Sequence, residues 1–245
     1  MHSTLVATPT PQEAPSDSSA VYDGIYVRNN LTCNGTVPST GPYNLSPDII
    51  QSLAPVSDPQ SVYSTPASWA QTYATEPAYG QKNYYYVRGL NGAEAAESSE
   101  VSLFYAPAQL ILFPGTWKNN PIPAANGSEN VSIAAGAGSI GVGADSFVWA
   151  NPPAPDAGSS FYSLVAQIHG QEDPDPIPVV SSWLDMAQIL GQELDFGFRN
   201  SCYVDNTVAA WTERVMLNIP SSIPDSGQVM LSISATGLTG ATIGL

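Results

Sequence analysis

Apolar positions along this chain alternate more often than they recur every third or fourth residue, which predicts strands rather than helices. The densest part runs from Lys82 to Leu112. Tyr84-Tyr85-Tyr86-Val87-Arg88 is aromatic and β-branched and breaks at Gly89 and Asn91-Gly92. Val101-Ser102-Leu103-Phe104-Tyr105 answers it before Pro107 stops the run. Leu110 to Phe113 leads into Pro114-Gly115-Thr116-Trp117, a turn expected to carry an exposed or edge tryptophan. Val131-Ser132-Ile133, Ile140 to Val148 and Phe161 to Ile168 continue the pattern, as do Val208 to Ile219, Gln228 to Ser234 and Ala241 to Leu245.

Near the N-terminus, Ile25-Tyr26-Val27-Arg28 reads as a short strand and echoes Tyr86-Val87-Arg88, as two strands in equivalent sheet positions would. Residues 31–76 are turn-rich and without a strong period, which predicts irregular structure packed over the sheet. Two short helical turns are expected there, over Ser46-Pro47-Asp48-Ile49-Ile50 and around Trp69 and Tyr73. One true helix is predicted from Trp183 to Leu194. Ser182 with Asp185 resembles a capping box, and Trp183, Ala187, Leu190 and Leu194 form one stripe. The expected fold is an all-β, Ig-like antiparallel β-sandwich with long irregular N-terminal loops and one short helix at about 183–194. Residues 1–20 read as a flexible tail and 21–245 as a single domain.

Charge narrows the function. The 245 residues carry 21 acids against 6 bases, a net charge of -15. Such a field repels phosphate backbones, so direct nucleic-acid binding is excluded as an expectation. Two lysines, 22 prolines and 20 glycines fit an exported or surface-acting β-protein, extracellular or delivered by a secretion system. No run of residues is long and apolar enough for a transmembrane helix, and the first residues show no basic start with an apolar core.

Few side chains suggest chemistry. Ala137-Gly138-Ser139-Ile140-Gly141 matches a nucleophile elbow as text, but the glycines that follow Ser139 cannot open the helix that an elbow requires. The same missing helix removes the dinucleotide reading of Gly136, Gly138 and Gly141. A zinc site would need Cys33, Cys202 and His169 to converge without close ligand spacing. The acidic loop Gln171 to Pro176 lacks the ligand spacing of a calcium loop. Asp145 and Glu172 are the candidate acid pair. Cys33 and Cys202 are either a long-loop disulfide or two buried thiols. Among many aromatics beside turns, Trp117, Trp69 and Tyr79 are the candidate binding residues, able to stack on sugars or anchor a protein.

Tyr84-Tyr85-Tyr86-Val87-Arg88 with Asn91-Gly92, Val101 to Pro107, Phe113-Pro114 with Trp117, and Phe161 to Ile168 together resemble an Ig-like module of bacterial exported and effector-type proteins. The resemblance covers about residues 80–205. The chain departs from it at Phe161 and Ser163, where His and Cys are usual, and at Gln167 in place of a base. The sequons at Asn30, Asn34, Asn44, Asn126 and Asn130 would mark exposed loops in a eukaryotic secretory protein, whereas the bacterial resemblance implies chance matches.

These readings converge on a non-enzymatic exported module that recognises a surface glycan or protein, or that serves as carrier in a larger toxin, effector or adhesin assembly. The alternatives are a hydrolase using Ser139 or an acidic pair, and a structural protein that self-associates through sheet edges. No cofactor and no metal is expected.

Overall fold

Alternation in the tyrosine-rich run sets the architecture. The computed structural model describes residues 20–73, 77–78, 80–107, 114–153, 161–170, 180 and 182–202. Contacts divide the chain into Met1–Trp211 and Thr212–Leu245, and the described residues all belong to the first unit. In order they form β1 (Ala20–Val21), β2 (Ile25–Tyr26), β3 (Thr36–Val37), β4 (Ile49–Ser52), α1 (Pro59–Tyr63), α2 (Pro66–Trp69), β5 (Asn83–Asn91) and β6 (Glu97–Pro107). Then follow α3 (Pro114–Lys118), β7 (Asn130–Ala135), β8 (Ile140–Val142), β9 (Phe147–Trp149), β10 (Phe161–Ile168), α4 (Trp183–Gln192) and β11 (Phe196–Cys202).

Two antiparallel sheets face each other, making the expected β-sandwich. One has the order β11-β10-β6-β7 and aligns Val101 with both Ile168 and Val131. The other is built around β5, which pairs with β2 and β8 near Leu90 and with β4 and β9 near Tyr84 and Tyr85. Successive side chains on a strand point to opposite faces, so each sheet buries one alternate set. Tyr85 and Val87 meet Val101, Leu103, Leu164, Ala166 and Ile168 across the sandwich, with Ile133, Phe147 and Trp149 completing the core. Each large apolar side chain so buried contributes about 1.5–3 kcal/mol.

The outward sets are covered too. On the four-stranded sheet, Phe104, Ala106, Val165, Phe196 and Phe198 pack beneath Trp117, Met186 and Leu190. Helix α4 supplies two of these, and Ser182 Oγ caps it by accepting from the Asp185 amide at 3.1 Å. It ends at Gln192, short of the predicted Leu194, which is itself buried. On the β5 sheet, Ile50, Tyr86 and Val142 pack beneath Tyr63, with Val56, Tyr73 and Tyr84 at the margin.

The irregular segment therefore acts as a strap, and buried charge fastens it. Arg88 leaves the outer face of β5 and donates through Nε to Asp48 Oδ1 at 2.7 Å. Its remaining donors reach the carbonyls of Tyr63, Ser68, Pro47 and Gln71 at 2.9–3.2 Å. A guanidinium has five fixed N–H donors, and here a carboxylate and four loop carbonyls take them. Arg28 grips the same carboxylate with Nε and Nη2, and the ring of Trp69 lies 3.4 Å from its guanidinium carbon. Arg199, on β11, holds the carbonyls of Ser46, Ile49 and Tyr73. Burial lowers the pKa of Arg88, opposed by the pull of Asp48.

Three expectations change. Ser46 to Ile50 is not a helical turn: Pro47 and Asp48 turn, and Ile49 begins β4, because both arginines claim the Asp48 side chain. Residues 114–118 form a helical turn, and Trp117 is 0% exposed rather than exposed or at an edge. The run Ile140 to Val148 is two strands, parted at Gly143 to Ser146. Four elements had no predicted counterpart, β1, β3, α1 and β11. The candidate strands at 208–219, 228–234 and 241–245 lie outside the described residues, as does Leu110 to Phe113.

Candidate functional site

The binding candidates from the sequence do not come together. Trp117 is packed among Phe104, Phe196 and Phe198. Trp69 is half-buried, with one face spent on Arg28. Tyr79 lies outside the described residues. Ser139 is exposed in the turn joining β7 to β8, where its amide donates to the Gly136 carbonyl and Gly138 takes φ +64°. A strand follows it, not a helix, so no amide cluster flanks its hydroxyl. Asp145 accepts from the Ser146 amide at 2.7 Å, and Glu172 lies outside the described residues. Cys33 is a half-buried free thiol, and the side chain of Cys202 lies outside the described residues.

A groove of about 1100 Å³ lies elsewhere, where five segments meet. Tyr22 to Ile25 enters β2 along one wall, and Ala95 to Glu100 leads into β6 along another. Asn130 and Ser132 of β7, Ile168 to Gly170 at the end of β10, and Asp195 ahead of β11 complete the lining. The entering segment comes this close because Gly92 lacks a side chain: a Cβ there would stand 2.2 Å from the Tyr22 carbonyl oxygen. The Gly92 amide instead donates to the Gly24 carbonyl at 2.9 Å.

Alternation in β6 and β7 makes the groove polar. Val101 and Val131 turn inward, which sends Glu100, Ser102, Asn130 and Ser132 to the outer face. Those side chains form a directed chain of hydrogen bonds. A carboxylate can only accept, so Asn130 turns its amide nitrogen to Glu100 Oε2, at 3.1 Å. Its Oδ1 then faces Ser102 and accepts the hydroxyl proton. The Ser102 oxygen is left to accept from His169 Nε2, 2.7 Å away, which sets that nitrogen as the protonated one. The His169 amide donates to the Glu100 carbonyl at 2.8 Å, and its carbonyl accepts from Ser99 Oγ.

Ser102 and His169 are thus a serine and a histidine in contact, yet wired against nucleophilic catalysis. A catalytic serine gives its proton to an unprotonated ring nitrogen, whereas here the ring donates and the hydroxyl is spent on Asn130. Ser102 is also 4% exposed in mid-strand. Asp23, Glu97, Glu100 and Asp195 put four carboxylates around the groove, and among the described residues no lysine or arginine lines it. Among the described residues no three His, Cys, Asp or Glu side chains are grouped to hold a metal ion, so these carboxylates surround a space rather than a single point. No helix among the described residues is long and apolar enough to cross a membrane.

Sequence reasoning missed this set. Its signal was the alternation Glu100-Val101-Ser102 against Asn130-Val131-Ser132, in which polar residues fall on one face of paired strands. No protein-family model matches this chain, and no curated protein matches it in sequence.

Proposed function

We propose that this chain is an exported, non-enzymatic binding module, built on an Ig-like β-sandwich, that takes a donor-rich partner in the groove between β2, β6 and β7. The observation that carries the reading is the groove lining: four carboxylates, an asparagine, serines and His169, with no lysine or arginine among the described residues. Such a surface presents acceptors and asks for donors, either the hydroxyls of a glycan or the ammonium and guanidinium groups of a protein. The direction of the Glu100–Asn130–Ser102–His169 chain favours binding over hydrolysis, because the hydroxyl is already committed.

Edge coverage argues against assembly through open strands. Beside β11, the Ser46 amide donates to the Phe198 carbonyl and the Asn200 amide to that of Asn44. Beside β9, Val148 and Ala125 exchange bonds with Pro123 and Ser146. Edges occupied in this way offer little template for another chain.

The test is binding of the purified chain to a glycan array and to lysine- and arginine-rich peptides, at low and high salt. A D23N/E97Q double variant removes two groove charges from side chains with no buried role. Saturable binding by the wild type, weakened at least tenfold in the variant, is expected. Loss at high salt identifies a cationic partner, since exposed charges are screened within about 8 Å at physiological ionic strength, while salt-insensitive binding identifies a glycan. A wild type that binds neither set, or a variant that binds equally well, would sink the proposal.

A further inference from the structure

The five sequons look alike as text and differ in what their amide nitrogens do. Nδ2 is the atom that N-glycosylation modifies, so its environment sorts the sites. At Asn30, 5% exposed, Nδ2 donates to the carbonyls of Thr40 and Pro42, both at 2.9 Å. That side chain staples the loop between β2 and β4. At Asn130, Nδ2 donates to Glu100 inside the groove chain. At Asn30 both Nδ2 hydrogens are spent, so a sugar there replaces one that the fold uses, and at Asn130 a sugar would stand in the groove against Glu100.

Asn34, Asn44 and Asn126 are exposed, and no hydrogen bond to a described residue uses their Nδ2. At two of them the rest of the sequon is already arranged around the amide. The Thr36 amide donates to Asn34 Oδ1 at 3.1 Å, and the Ser128 amide to Asn126 Oδ1 at 2.8 Å. Each is an Asx turn that holds the carbonyl oxygen against the backbone and leaves the nitrogen toward solvent. Asn44 is held through its backbone carbonyl, which accepts from Asn200, and its side chain stands clear.

We infer that Asn34, Asn44 and Asn126 are N-glycan acceptor sites and that Asn30 and Asn130 are not. In the transfer, Asn Nδ2 attacks the anomeric carbon of a polyprenyl-pyrophosphate-linked oligosaccharide. The C–N bond forms, the C–O bond to phosphate breaks with its electron pair leaving on the pyrophosphate, and one Nδ2 proton passes to a base of the transferase. The inference rests on the export part of the proposed function, replaces the expectation that the sequons are chance matches, and at Asn34, Asn44 and Asn126 is independent of the groove.

The test expresses the full chain behind a host secretion leader in a glycosylating eukaryotic host and maps the secreted, folded fraction before and after peptide N-glycosidase. Supplying the leader separates acceptor chemistry from native export, and binding at the groove is read on a different surface. Glycans at Asn34, Asn44 and Asn126, bare Asn30 and Asn130, and complete loss of the modification in N34Q/N44Q/N126Q are expected. Any of the three left unmodified, or glycan on Asn30 or Asn130 in the secreted fraction, would overturn the inference. Because Asn→Gln changes leave exposed positions polar, the triple variant should be secreted in folded form. If it is not, mapping the wild-type glycopeptides still decides the matter.

Discussion

Arg28 and Arg88 share one carboxylate: Arg28 Nη2 and Arg88 Nε both donate to Asp48 Oδ1, at 2.6 and 2.7 Å, with all three side chains at most 2% exposed. Two guanidinium groups on one acid leave an excess positive charge in the interior. Loop carbonyls and the Trp69 ring disperse it.

Asp48→Asn removes the carboxylate that both arginines share and leaves two buried cations facing each other. Breaking a buried pair from one side costs about 3–5 kcal/mol. Urea unfolding should show a loss of that size, together with faster proteolysis in 53–73 as the strap loosens. A loss below about 1 kcal/mol, the range of exposed pairs, would mean the cluster is not the fastening described.

Trp117→Ala should act on stability before anything else. The indole fills the space between the four-stranded sheet and α4, and such truncations cost about 3–5 kcal/mol. Thermal unfolding checks this. A variant as stable as the wild type would restore Trp117 as a surface residue.

Gly197 faces Val27, and a Cβ at that position would stand 2.3 Å from Val27 Cγ1. Gly197→Ala should therefore destabilise by about 1–3 kcal/mol, the usual range for overpacking. Adding Val27→Ala should recover part of the loss, making the pair non-additive in a double-mutant cycle. Strict additivity would count against direct contact.

Tyr26 links stability to alkaline pH. Burial, reinforced by Cys33 and opposed by Arg28, pushes its phenol up from 10.0 to about 12. The folded state thus holds the proton after the unfolded chain has lost it. The contribution is complete below pH 10.0 and drains away as pH rises toward about 12. Tyr26→Phe should flatten the fall in unfolding free energy across that window, and an unchanged slope would refute the assignment.

Much of the fold was legible because alternation carries it. β10 runs from Phe161 to Ile168 as its pattern predicts, and α4 begins at its Ser182 cap. What escaped were features that depend on distant partners. The helical turn expected at Ser46 to Ile50 fails because Asp48 serves arginines from two other segments rather than its own backbone turn. The echo between Tyr26-Val27-Arg28 and Tyr86-Val87-Arg88 was visible, but not that both arginines converge on that acid. The groove escaped for a related reason: its serines and Glu100 look like ordinary solvent-facing strand positions until β6, β7 and β10 are aligned.

Arginines used as internal fastenings are also withdrawn from proteases that cut after basic residues. Arg28, Arg88 and Arg199 are all at most 8% exposed, so among the described residues only Lys82 and Lys118 offer an exposed cleavage point. Trypsin-like enzymes would have to wait for local opening before reaching the other three. The same side chains that hold the strap to the sheet would then lengthen the working life of the folded chain in a protease-rich setting.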